Sequence, residues 1–216
     1  LDTWSSVWQA CSNMDSKNVV FNLFASFIIV LRRFIFLIIT PYKTMRKISM
    51  YGDYYQTITI FLMVFIYFLF AHMMRGSVIW GGFVYGVFLL LFFITTLFFY
   101  LFSHAFGSDM RYMKFIHAFS YTLLPTLIWF ITNLILYIVL PPPRTMSFLG
   151  KGFSIFFIAY SVSLLVWKLI LVYFAIRFSS RLGLYRIIYM FLFYLLIFVP
   201  LSLILYYFKL FRVPFI

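Results

Sequence analysis

Five apolar runs, at 57–74, 78–103, 117–140, 153–176 and 187–208, dominate this chain, and charged or polar residues bound each of them. The hydrocarbon core of a bilayer is about 30 Å thick and asks for roughly 20 apolar residues per helix, so each run is long enough to cross it. The runs are continuous rather than alternating, which rules out a transmembrane β-barrel. Hydrophobic residues make up 66% of the 216 and charged residues 10%, against about half and a quarter in a soluble domain. A water-soluble fold is therefore excluded. Phe and Tyr, with 32 and 17 copies, suit a lipid-facing surface and interfacial belts.

The stretch 18–40 is apolar overall but carries Arg32 and Arg33 in its second half. Each arginine deep in a span costs roughly 2.5 to 3.5 kcal/mol on insertion scales. Asn18, Asn22, Ser26, Arg33 and Thr40 recur at helical spacing, giving one polar stripe beside a broad apolar face. That pattern predicts an in-plane interfacial helix, the alternative being a sixth span. Pro41 ends the helix, because proline cannot donate the next helical hydrogen bond. The fold class expected is all-α: a polytopic membrane bundle of five transmembrane helices preceded by an interfacial amphipathic helix. Its divisions are a cytoplasmic N-terminal segment at 1–56, a five-span membrane domain at 57–210 and a short outer tail at 211–216.

Cytoplasmic loops of membrane proteins hold the excess of Lys and Arg. Lys17, Arg32, Arg33, Lys43, Arg46 and Lys47 precede the first span, and Arg111, Lys114, Arg177, Arg181 and Arg186 fall on the same side. The other side holds Arg75, Arg144, Lys151, Lys209 and Arg212. The expected orientation is N-terminus in, C-terminus out, in the cytoplasmic membrane if the source is prokaryotic. Treating 18–40 as a span would only move the first residues outside. The net charge of +13 is accounted for by these connectors, so anionic head groups are the expected partners and nucleic acid is not.

The chain opens on Leu1, and its first residues lack the basic-then-apolar layout of a signal peptide; Met14 is an alternative start. Cys11 is the sole cysteine, so no intrachain disulfide is available. Pro141, Pro142 and Pro143 form a stiff cap on an outer connector.

Few residues carry chemistry. All four acids are aspartates, and without glutamate there is no His-Glu-x-x-His or Glu-Glu site; no Gly-x-Ser-x-Gly elbow is present either. His72, His104 and His117 sit at span ends with no thiolate or acid at ligand spacing, so no metal or other cofactor is expected, and the chain is not read as an enzyme. Lys168 lies near the middle of the fourth span, where an ionisable residue is a functional candidate by default. It either snorkels or is captured by hydroxyls such as Ser161 and Ser163, or it serves a lipid-phosphate or gating role. Asn133 is a candidate for interhelical hydrogen bonding. Gly82 and Gly86 form a Gly-x-x-x-Gly pair suited to close helix approach, within the chain in preference to between copies. Tyr121 and Pro125 sit one turn apart, and the proline frees a backbone carbonyl that Ser120, Thr122 and Thr126 can help to re-satisfy.

With Pro41 leading a helix before the first span, Gly107 before the third, and Ser120-Tyr121-Thr122-Leu123-Leu124-Pro125 inside it, the chain resembles the Yip domain family of Ypt/Rab-interacting polytopic membrane proteins. The resemblance covers about residues 35–208, including Trp167-Lys168-Leu169 and the Leu182–Arg186 connector. It departs in two places: only Pro41 remains of an Asp-Leu-Tyr-Gly-Pro motif, and serine precedes Tyr121 in place of glycine. The resemblance implies a short, prokaryote-like member acting as a non-enzymatic membrane scaffold. Arg32, Arg33, Lys43, Arg46 and Lys47 would be its lipid contacts, with a membrane-protein partner or a second copy also open. The competing reading is a small-molecule or lipid transporter in which Lys168, Asn133 and Tyr121 line one path; a third is an accessory subunit of a membrane complex.

Overall fold

The computed structural model describes residues 16–50, 53–74, 78–108, 111–139 and 148–208, and among these there is no strand. Met14, Cys11, the proline cap at 141–143 and the 211–216 tail lie outside them. The helices are α1 (Ser16–Ile39), α2 (Pro41–Met50), α3 (Tyr54–Met73), α4 (Val78–Ala105), α5 (Tyr112–Ser120), α6 (Leu124–Val139), α7 (Phe148–Ser180) and α8 (Leu184–Tyr207). A 3-10 turn at Tyr121–Leu123 joins α5 to α6, so the two make one span. Six helical segments are long and apolar enough to cross a bilayer: Phe21–Ile39, Tyr54–Met73, Val78–Ala105, Tyr112–Val139, Gly152–Ser180 and Leu184–Ile204. The protein is an integral, multi-pass membrane protein.

The first of these segments, Phe21–Ile39, falls on the stretch expected to be an in-plane helix and is itself long and apolar enough to span. α1 packs along α3, sending Val30, Phe34 and Leu37 into the core. Where its side chains are described, the polar stripe expected at 18–40 faces the bundle: Ser26 is buried and Arg33 turns inward, while Phe24, Ile28, Leu31 and Ile35 are exposed. In lipid the broad apolar face is the outer one, which inverts the arrangement expected of a helix lying at a water interface.

Local chemistry fixes the breaks. At the α1–α2 junction Pro41 has no N–H to give, and Thr40 and Thr44 turn their hydroxyls onto the Phe36 carbonyl, each at 3.2 Å. α2 begins at that proline, where a missing donor costs nothing. α4 ends in a Schellman arrangement: Ser108 N–H donates to Ser103 O at 3.0 Å and Gly107 N–H to His104 O at 2.9 Å. Gly107 holds φ +88, a left-handed conformation natural to glycine. The residue singled out by family resemblance thus has a plain geometric task here.

The core is concentrated toward the end of the bundle that carries α2. There α2 packs on α7, α5 and α1, burying Met45 and Ile48, and meets α7 through Tyr42, whose ring stands edge-on to Phe178 at 5.0 Å. The α3–α6 seam is held by Tyr67 stacked on Phe130, with centroids 4.2 Å apart. α8 rests on α7 and α4 through Ile187, Met190 and Tyr194.

Candidate functional site: a buried polar clasp

Four polar side chains converge where α1, the start of α3 and the 3-10 turn meet. Asp53 caps α3, its Oδ1 accepting from Tyr55 N–H at 3.1 Å. One turn on, Gln56 Nε2 donates to Asp53 Oδ2 at 3.0 Å, which fixes the amide. Its Oε1 then accepts from the Tyr121 hydroxyl at 2.6 Å and from Arg33 Nη1. Arg33 Nη1 also donates to the Tyr121 oxygen at 3.4 Å, and its guanidinium carbon lies 5.9 Å from the Tyr121 ring centroid. Arg33 meets neutral oxygens directly and a carboxylate only through Gln56, a chain of charge-assisted hydrogen bonds.

Tyr121 is 0% exposed and stands at the centre of this cluster. Phe34 packs edge-on against its ring at 5.8 Å and His117 at 5.4 Å. His117 Nδ1 bonds Thr57 Oγ1 at 2.9 Å, tying α5 to α3 beside the tie made by the 3-10 turn. The 3-10 turn that carries Tyr121 follows from Pro125. Lacking an N–H, Pro125 cannot bond the Tyr121 carbonyl, and Leu124 N–H takes that acceptor in a tighter turn. The freed carbonyl is thus taken by the backbone, while the Ser120 and Thr122 hydroxyls donate to His117 O and Phe119 O at 2.8 and 2.7 Å and Thr126 is buried.

The remaining sequence candidates divide. Lys43, Arg46 and Lys47 share the exposed edge of α2, opposite buried Thr44, Met45, Ile48 and Ser49. Arg32 is exposed and lies over the Phe36 ring at 5.6 Å. Arg33 is corrected: it was grouped with the lipid contacts, but it serves the clasp. Asn133 donates to the Trp129 carbonyl of its own helix at 2.8 Å, so it forms no bridge between helices through that amide. The α6–α7 seam is joined instead by Trp129 Nε1 to Ser161 Oγ at 3.1 Å and by Thr132 with Tyr160 at 2.9 Å. Tyr121 is sealed in the clasp, which counts against a common path with Asn133 and Lys168.

Gly82 and Gly86 are also corrected as packing residues within the chain. A Cβ at either would meet nothing within 4 Å. The close approach belongs to Gly81, where a Cβ would lie 3.0 Å from Phe68 O and 3.1 Å from His72 Cβ. The glycine pair has the right spacing on the wrong face.

Gln56 was overlooked by sequence reasoning, although a signal was present. Asp53-x-x-Gln56 ahead of an apolar run has the form of a helix-capping box. Among the described residues no three His, Cys, Asp or Glu side chains group to hold a metal. No family model, curated protein or solved structure matches this chain.

Proposed function

We propose that this protein is a non-enzymatic membrane scaffold, acting through helix packing and through contacts between anionic lipid and the basic edge of α2. The carrying observation is the division of α2 into a buried face and an exposed edge bearing Lys43, Arg46 and Lys47. Because α2 packs on α1, α5 and α7, charge captured at that edge is coupled to the interior of the bundle. The resemblance to the Yip domain family supports this reading through Pro41, Gly107 and the Tyr121–Pro125 element.

Each Lys or Arg near an anionic surface contributes about 1 kcal/mol, so three imply a marked preference for anionic over zwitterionic lipid. Spin-labelled phosphatidylglycerol and phosphatidylcholine, compared as trace probes in phosphatidylcholine proteoliposomes, measure it. The immobilised fraction should favour phosphatidylglycerol by at least about tenfold, and salt should weaken the preference. The triple variant Lys43→Gln, Arg46→Gln, Lys47→Gln should lose most of it. Equal immobilisation of both probes by the wild-type protein would remove the proposal.

The charge distribution supports placing the α2 end in the cytoplasm. Arg111 and Lys114 at the start of α5, and Arg177, Arg181 and Arg186 around the α7–α8 turn, belong to that end. With α1 as a span, residues ahead of it lie outside instead of in the cytoplasm, and the far end of α8 is outside as well. Alkaline phosphatase fused after Ile216 should be active in a bacterial host, and green fluorescent protein fused there should be dark. The reverse pair of results would invert the orientation.

A further inference from the structure

Among the described residues, Lys168 is the one charge placed far from either end of a long apolar helix that the clasp and the α2 edge leave unexplained. It lies 12 residues from Ser180 and 16 from Gly152, at opposite ends of its apolar segment. At 1.5 Å per residue these are about 18 and 24 Å. An extended lysine reaches about 6 Å, so snorkelling does not bring this ammonium to either surface. The hydroxyls considered as captors do not reach it: Ser161 and Ser163 turn back to donate to Phe157 O and Ala159 O of their own helix at 2.8 and 2.9 Å, and neither accepts from Lys168. No described residue forms a hydrogen bond or ion pair with Lys168.

Its position in the packing adds a second observation. Lys168 is half-buried on the inward face of α7, one turn from Leu171 and Val172, which are buried. Beyond that level packing loosens: among the described residues, 131–139 of α6, 152–170 of α7 and 191–208 of α8 include no buried residue. The Trp129–Ser161 and Thr132–Tyr160 pairs set α6 and α7 antiparallel, which puts Lys168 level with the 3-10 turn. The cation therefore sits at the floor of a loosely packed half, with Leu165, Val166, Leu169 and Ile170 exposed to lipid beside it.

We propose that Lys168 binds the anionic head, carboxylate or phosphate monoester, of a single-chain amphiphile entering from the bilayer between α6, α7 and α8. The ammonium supplies a charge-assisted bond in a medium of low dielectric, where an ion pair is far stronger than in water. The acyl chain fills the loosened half and lies along the exposed aliphatic residues. No group of the clasp takes part, and the site is separate from the α2 edge.

Radiolabelled palmitate, lysophosphatidate and lysophosphatidylcholine test it, each titrated onto the protein in phosphatidylcholine nanodiscs with empty nanodiscs as the blank. At least one of the two anionic probes should bind about tenfold tighter than the zwitterionic one, and which of them does so identifies the head group. Lys168→Leu and Lys168→Met should abolish the preference, and Lys168→Arg should keep it. The methionine variant preserves an unbranched side chain, and thermal unfolding verifies that each variant is folded. The α2 triple variant should leave this preference intact while losing the phosphatidylglycerol preference, so the two proposals fail independently. No anionic preference in the wild type, or its survival in folded Leu and Met variants, overturns the assignment.

Discussion

Gln56→Leu should destabilise the bundle by about 3 kcal/mol, because it strips Arg33 and Tyr121 of the acceptor they share. The leucine matches the glutamine in bulk, so the loss is of polar contacts more than of volume. Arg33 keeps only its long 3.4 Å contact to the Tyr121 hydroxyl, and Asp53 loses the amide that faces it. Tyr121→Phe is milder, about 1 to 2 kcal/mol, since it removes one hydroxyl and keeps the ring against Phe34. Arg33→Leu combined with Gln56→Leu should recover much of the loss, because the orphaned charge is gone. Unfolding in mixed detergent micelles measures all four proteins. A Gln56→Leu variant as stable as wild type, or a double variant no better than the single, would show that the clasp does not hold α1.

Gly81→Ile should be the most disruptive change at any of the three clustered glycines. Its Cβ would sit 3.0 Å from the Phe68 carbonyl oxygen, a backbone atom inside α3 that cannot rotate aside. The other neighbour, His72, is held by its Nδ1 contact to that same carbonyl at 3.0 Å. α4 must then move off α3, and overpacking of this kind costs about 3 kcal/mol or more. Gly82→Ala and Gly86→Ala should stay within about 0.5 kcal/mol, because the chain offers their Cβ atoms open space. The same unfolding assay ranks them. Equal tolerance at all three positions would mean that α3 and α4 do not approach as described.

These two sites show where sequence reading succeeds and where it stops. Long apolar runs are legible because lipid imposes one requirement on every spanning helix, a fully bonded backbone with an apolar exterior. A break one turn before Pro125 is legible too, since the proline lacks its donor whatever surrounds it, although the 3-10 form of that break is not. Facing is harder. Gly81, Gly82 and Gly86 lie within six positions, and spacing alone cannot say which of them meets α3. The stripe on α1 was found correctly, but its direction depends on whether water or another helix lies opposite. Arg33 was weighed as a cost because its acceptors are remote in sequence, and no local pattern announces a partner on another helix. Gln56 could have been noticed beside Asp53 as a capping pair, yet its reach to Arg33 is purely tertiary.

That remoteness has a consequence for biosynthesis. Arg33 leaves the ribosome 23 residues ahead of Gln56 and 88 ahead of Tyr121. A translocon handling α1 meets a guanidinium whose acceptors have not been translated, so early partitioning into lipid carries the arginine's full insertion cost of roughly 2.5 to 3.5 kcal/mol. Relief comes in two instalments, first with α3 and then with the turn that follows α5. α1 is thus secured only once the chain has been made as far as the turn that follows α5.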